Sequence, residues 1–275
     1  MKQFYLCAIQ PQVIPLDIDK NVDRCIGLME TVFKTKKPDL VVFPETVTTG
    51  FSLKKVGDND ASLSKVYFEL KKKLPKIKLV ITEFAKKNKV NIVFPTYVPS
   101  EIKNKFYNSA FFINQKGVIE EVYRKIFLFP TENWSIGGNK IVVWKTEFTK
   151  IGCMICFDGD YPELARKYSL KGVELIVRPS ALLRDYTIWN STNISRAYEN
   201  QIYFCGVNSI GTDYAEKNFY GHSMLVNPYS KIVKHLGANE DFFVTKLEPK
   251  NAMDTSNIIV LDHIKELKKA RLKFL

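Results

Sequence analysis

The sequence predicts a single α/β domain built from layered sheets. Short apolar runs alternate with longer amphipathic ones, the pattern of strands alternating with helices. Hairpin signals are mixed among the helices, which argues for packed sheets rather than a pure parallel barrel. No internal repeat, low-complexity tract or Gly/Ser linker interrupts the 275 residues, enough chain for one large, well-buried core.

Taken in order, Phe4–Gln10 reads as a first strand and Asp17–Phe33 as a helix. In the helix Ile18, Val22, Ile26, Met29 and Val32 recur on one face. Leu40–Phe43 is a short buried strand that stops at Pro44-Glu45. Leu63–Lys73 and Ile77–Lys87 have helical spacing, with Pro75 expected to separate them. Asn91–Val98 and Tyr107–Asn114 read as strands, and Lys116-Gly117 as a turn leading into a strand over Val118–Arg124. Ile141–Trp144 and Ile151–Ile155 form a strand pair. Pro162–Lys171 is a helix capped by Gly172. Glu174–Arg178 is a strand and Asp185–Gln201 a helix. Strands follow at Tyr203–Asn208, His222–Asn227, Lys231–Lys234 and Phe242–Lys246, and a terminal helix at Ile264–Leu272.

Composition narrows the function. No apolar run approaches the roughly 18–20 residues of a membrane span, so no membrane association is expected. The first ten residues turn polar too soon for a signal peptide and read as a strand, which predicts a cytoplasmic protein. Five scattered cysteines (Cys7, Cys25, Cys153, Cys156 and Cys205) predict reduced thiols rather than a disulfide framework. The net charge of +12 comes mainly from lysines on helix faces such as Lys71-Lys72-Lys73. With no Arg-rich tract and no nucleic-acid module, it reads as a solvated surface and predicts no nucleic-acid partner.

The most informative stretch runs from Ile151 through Cys156 to Glu163. An apolar run ends at a cysteine, an Asp-Gly-Asp turn follows, and Tyr161-Pro162-Glu163 opens a helix. Helix dipole and free N–H groups there would favour a thiolate and a developing oxyanion. Glu45, just past a buried strand, is a candidate general base, although alone it also reads as a loop surface residue. Lys125 stands between apolar segments, where it could donate to an oxyanion or snorkel to solvent. Glu132, beside Trp134, is a candidate second carboxylate, although taken alone it reads as a surface residue.

Phe43-Pro-Glu45, Tyr123-Arg-Lys125 and Cys156-Phe-Asp-Gly-Asp-Tyr-Pro-Glu163 resemble the three signatures of the nitrilase superfamily of carbon–nitrogen hydrolases. Arg196-Ala-Tyr-Glu-Asn200 and Gly221-His-Ser-Met-Leu-Val-Asn-Pro228 are similar to further family segments. The resemblance spans almost the whole chain. It implies an α-β-β-α sandwich, one carbon–nitrogen hydrolase domain over residues 1–275, no metal or other cofactor, and dimers or larger homo-oligomers. It also implies the catalytic roles: Glu45 as base, Lys125 as oxyanion donor, Cys156 as nucleophile and Glu132 as the second carboxylate. Glu132-Asn-Trp134 resembles the Glu-Gly-Trp stretch of aliphatic amidases and places Trp134 at the substrate. Phe157, Tyr161 and Arg178 are further substrate-pocket candidates, with a structural ion pair as the alternative for Arg178.

Asp158-Gly-Asp-Tyr-Pro-Glu163 and Phe219-Tyr-Gly-His-Ser223 are similar to aliphatic amidases and formamidases, where nitrilases carry Trp-Glu after the cysteine. Pro179-Ser-Ala181 is closer to the broader amidase and N-carbamoyl-amine branches. The expectation is therefore a thiol hydrolase of small amides, releasing acid and ammonia through a Cys thioester. Hydrolysis of N-carbamoyl amines or ω-amides is the alternative, with nitrile hydrolysis behind it. Cys153 and Cys156 also form a C-x-x-C, the spacing of a redox pair or half a zinc site. No second C-x-x-C or paired His accompanies it.

Overall fold

The computed structural model describes residues 1–55, 57–58, 60–250, 253 and 262–270. Two six-stranded sheets stack face to face, and each has a helical layer on its outer side. The first sheet runs β14-β1-β2-β3-β4-β5. Its parallel centre is β1 (Phe4–Gln10), β2 (Leu40–Val42) and β3 (Asn91–Pro99), and β4 (Phe106–Ile113), β5 (Tyr123–Arg124) and β14 (Asp241–Leu247) are antiparallel. The second sheet runs β13-β12-β9-β8-β7-β6. Its parallel centre is β7 (Lys150–Cys153), β8 (Leu175–Ser180) and β9 (Tyr203–Asn208), flanked by β6 (Val143–Lys145), β12 (Met224–Val226) and β13 (Ile232–His235). The architecture is the α-β-β-α sandwich expected from the sequence.

Period-2 alternation explains the layering. Along β1, Phe4, Leu6 and Ala8 pack with Ile151, Cys153 and Val177 of the facing sheet. Cys7 and Ile9 point the other way, into the cluster holding Met29 of α1 (Ile18–Thr35) and Ile81 of α2 (Asp60–Asn88). On the far side, Leu164 and Tyr168 of α3 (Pro162–Leu170) and Trp189 and Ala197 of α4 (Tyr186–Asn200) cover the second sheet. Burying each such Leu, Val, Ile or Phe side chain contributes about 1.5–3 kcal/mol before entropy is counted. Among the described residues, no helix is long and apolar enough to cross a membrane.

Several expected boundaries move. Pro75 does not divide two helices: α2 runs through it without a break over 29 residues. Pro75 and Lys71 both lie on the exposed face, where the carbonyl left without a donor is open to solvent, while Leu70, Leu74, Ile77 and Ile81 stay buried on either side. The strand expected over Val118–Arg124 shrinks to Tyr123–Arg124 plus a single bridge from Ile119 to Ile113. The expected turn before it is present, with Gly117 at φ +77° donating to Asn114. A hairpin of β10 (Ile210–Thr212) and β11 (Asn218–Tyr220) was not anticipated. Gly172 caps α3 at φ +75°, as expected. The terminal helix α5 spans His263–Lys269, and residues 271–272 of the expected helix lie outside the described residues.

Candidate active site

The strand expected to reach Ile155 stops at Cys153, and the reason lies in the side chains beyond it. Asp158 Oδ2 accepts the Ile155 N–H at 2.9 Å, so the chain leaves the ladder and winds into a short 3-10 turn over Cys156–Asp160. Cys156 enters that turn at φ +46°, a left-handed conformation that a side-chain-bearing residue adopts only when its surroundings enforce it. Arg178, on β8, braces the turn by donating its Nε–H to the Cys156 carbonyl at 2.8 Å.

Three more elements bring carboxylates and an ammonium towards the thiol. Glu45 follows β2, Lys125 follows β5, and Glu132 lies in the loop beyond it; Glu45 and Lys125 are fully enclosed, and Glu132 is 1% exposed. Lys125 Nζ donates to Glu45 Oε1 at 2.7 Å and to Glu132 Oε2 at 2.8 Å. Asn108 on β4 bridges the same carboxylates, its Nδ2 donating to Glu45 Oε1 and Glu132 Oε1 at 2.8 Å each. Glu45 Oε2 accepts the Ala181 N–H from the end of β8 at 2.9 Å, tying the two sheets together. Ser135 Oγ donates to Glu132 at 3.0 Å. The Lys125 backbone is held on both sides, donating to Asn108 O and accepting from Gly138 N.

The charges explain the titration behaviour. Burial opposes the Lys125 ammonium, but Glu132 and Glu45 outweigh it and hold its pKa above the ordinary lysine value. Burial, reinforced by the Glu45 charge, pushes the Cys156 thiol up to about 12, against the pull of Lys125, Arg178 and the Ala181 N–H. This corrects the expectation that a helix N-terminus would favour a thiolate. The α-helix starts only at Pro162, and the intervening turn spans five residues, so little dipole reaches the sulfur. At neutral pH Cys156 is therefore a protonated thiol beside the Glu45 carboxylate.

A narrow cleft opens on Cys156 and is lined by Phe51, Phe129, Phe157, Ala181, Leu182, Leu183 and Arg184. Of the expected pocket residues, Phe157 reaches it. Trp134 stands behind Phe51, with ring centroids 6.0 Å apart, and Tyr161 stacks on Phe127 at 3.5 Å while meeting Phe157 edge-on. Arg178 does not line the cleft. Its guanidinium is fully buried and committed to Cys156 O, Thr192 Oγ1 at 2.7 Å, Asn193 Oδ1 at 2.9 Å and Asp160. Cys153 is fully buried among inter-sheet side chains, where it behaves as a small hydrophobe. Among the described residues, no group of three or more His, Cys, Asp or Glu is placed to hold a metal ion.

Sequence reasoning missed Asn108, Phe51 and Arg184. A polar residue inside the apolar alternation of β4 was the available signal for Asn108. Arg184, just beyond the carboxyl end of β8, is held by Asp160 through two contacts of 2.6 and 2.7 Å and lies 5.6 Å over the Phe157 ring.

A two-sheet sandwich with a thiol facing buried carboxylates and an ammonium is the plan of a carbon–nitrogen hydrolase. The chain belongs to that family, whose model matches residues 6–252. A probable nitrilase of Schizosaccharomyces pombe is 30% identical over 82% of this chain and 81% of its own length. The human omega-amidase is 26% identical over 91% of this chain and 90% of its own. Among solved structures, an amidase from Nesterenkonia sp. superposes with a TM-score of 0.79 at 20% identity, covering 98% of this chain and 96% of that one.

Proposed function

We propose that the protein is an amidase that hydrolyses the C–N bond of small amides to a carboxylic acid and ammonia. The observation that carries this reading is the enclosed Lys125 ammonium gripped by Glu45 and Glu132, set beside the Cys156 thiol, which itself lines a small apolar cleft. Glu45 takes the thiol proton as sulfur attacks the amide carbon, so the thiolate never has to exist free. Lys125 and the backbone N–H after Cys156 receive the oxyanion, and losing one such donor costs about 3–4 kcal/mol of barrier. The protonated carboxylic acid of Glu45 returns its proton to the departing nitrogen. Water then attacks the thioester with a carboxylate as base, restoring the thiol. Glu132 keeps Lys125 charged and aimed, and Trp134 and Tyr161 support the aromatic wall on which Phe157 meets the substrate.

An ω-amide substrate is the second reading, and Arg184 favours it. Among the described residues it is the one charged side chain lining the cleft, suited to an amide whose far end carries a carboxylate. The human relative's name, omega-amidase, points the same way. Five free cysteines are consistent with a cytoplasmic setting, where a homodimer or larger homo-oligomer is the proposed form.

Ammonia release from a panel of short neutral amides, ω-amides, N-carbamoyl amines and nitriles tests the proposal. Turnover of an amide by the wild type, its loss in Cys156→Ala, and a trapped acyl mass on Cys156 are the expected results. Undiminished turnover by Cys156→Ala would overturn it.

A further inference from the structure

Asp158 lies two residues beyond Cys156 and is completely buried. Among the described residues it makes no ion pair. Instead its carboxylate collects four donors: Oδ2 accepts from Tyr123 OH at 2.7 Å and Ile155 N at 2.9 Å, and Oδ1 from Phe127 N at 2.8 Å and Ile126 N at 3.2 Å. The identity of the donors is the informative part. Tyr123 precedes Lys125 by two residues, and Ile126 and Phe127 follow it directly. Ile155 is the residue before Cys156. One carboxylate therefore grips the chain on both sides of the ammonium-bearing residue and the chain entering the nucleophile.

We infer that Asp158 is a positioning residue that sets the Lys125 ammonium and the Cys156 thiol in register by clamping their two segments together. This rests on the amidase reading for its catalytic meaning, although the clamp itself is independent of the substrate. A space-filling role does not explain the residue. An apolar side chain would occupy the same volume without the cost of enclosing a carboxylate that has no cation, whereas only an ionised carboxylate accepts from four donors at once.

The clamp should be sensitive to acid. Burial is the largest influence on Asp158 and raises it to about 6, with Phe127, Tyr123, Lys125 and Ile155 pulling it down. The titratable groups facing it are Tyr123 and Lys125 at β5, Cys153 on β7 and Tyr168 on α3. The burial of Tyr123, Cys153 and Tyr168 raises each of them well above its ordinary value, so they stay neutral near pH 6. Lys125, raised as well, stays charged. Of these groups Asp158 alone changes charge there. Because its pKa lies above the ordinary carboxylate value, the working, ionised form is present above pH 6 and is lost as pH falls through it. A protonated oxygen would turn a donor towards a donor and release one segment.

The test uses the full chain with Asp158→Asn and Tyr123→Phe, a turned-over short amide, and alkylation of Cys156 by iodoacetamide followed by mass across about pH 5–8. Asp158→Asn presents an N–H to one of the donors, so kcat should fall about 100-fold while KM stays within about threefold. Alkylation should slow with it, and the wild-type acid limb below pH 6, seen in kcat and as an added steepening of the alkylation profile, should vanish from both. Tyr123→Phe, which removes one of the four donors, should show the same kcat-specific loss at smaller size. A folded Asp158→Asn with unchanged kcat and an unchanged acid limb overturns the inference. If Asp158→Asn does not fold, Tyr123→Phe decides, and an unchanged kcat and pH profile in that variant overturns it. If no amide is turned over at all, the amidase reading fails, and the alkylation profiles still judge the clamp.

Discussion

The Lys125 ammonium stands 2.7 Å from Glu45 Oε1, and neither side chain has any contact with solvent. A second carboxylate, Glu132, sits 2.8 Å from the same nitrogen. Two enclosed anions thus share one cation, and Asn108, the Ser135 and Tyr97 hydroxyls and backbone N–H groups supply further donors. Lys125→Met would leave both carboxylates without their cation. Removing one partner from a buried pair costs about 3–5 kcal/mol, so the variant should unfold at markedly lower denaturant as well as lose turnover. Lys125→Arg should not rescue either property, because the planar fork cannot replace an ammonium enclosed between two carboxylates. Urea melts and ammonia release measure the two effects separately.

Asn108 makes a prediction of its own. Its carboxamide must point Nδ2 at the carboxylates, since an oxygen there would face two anions. Asn108→Asp puts a third carboxylate against Glu45 and Glu132 and should depress kcat by more than Asn108→Ala. Simple loss of packing would order the two variants the other way, because Asp nearly preserves the volume. Comparing kcat for the pair decides.

How much of this was readable in advance follows from range along the chain. The strands and helices carry their own periodicity, so β1, α1 and α3 stand close to where the sequence puts them. The sandwich and the joining of Glu45, Lys125, Glu132 and Cys156 came through the resemblance of ordered motifs, since no local pattern says which strand ends meet. Pro75 misled because a proline's cost in a helix depends on which face it occupies, and facing is a tertiary property. Arg178 stays open between pocket and structural ion pair in the sequence for a similar reason. A cation at a strand end reads alike whether it turns towards a cleft or beneath the neighbouring turn, and here Cys156 O, Thr192 and Asn193 claim it. Asn108 was hidden because its two partners lie 63 and 24 residues away.

The two cysteines of the C-x-x-C should behave oppositely. Cys153→Ala removes a buried sulfur from the inter-sheet core and should cost stability by about 1–3 kcal/mol with kcat largely intact. Cys156→Ala should abolish turnover with little change in melting. For the wild type, a thiol raised to about 12 is protonated across the neutral range, so iodoacetamide labelling should show no thiolate titration between about pH 7 and 9. A plateau set by a pKa near 7 would contradict the account of Cys156 as a thiol deprotonated only during attack.

Arg184 separates the two substrate readings. Its guanidinium is fixed by Asp160 and by the Phe157 ring, so it meets a ligand already ordered and loses little freedom on binding. For an amide whose far end is a carboxylate, Arg184→Met removes a charge-assisted contact of about 1.5–3 kcal/mol, a loss of roughly 10–100-fold in kcat/KM. For a neutral amide of equal length the methionine stem preserves the apolar wall, and kcat/KM should change by less than about threefold. A drop confined to the acidic substrate makes Arg184 the reader of the substrate's far end. An equal drop for both would mean instead that the Asp160–Arg184 pair holds the cleft wall in place, which leaves the neutral short amide as the better fit to the site.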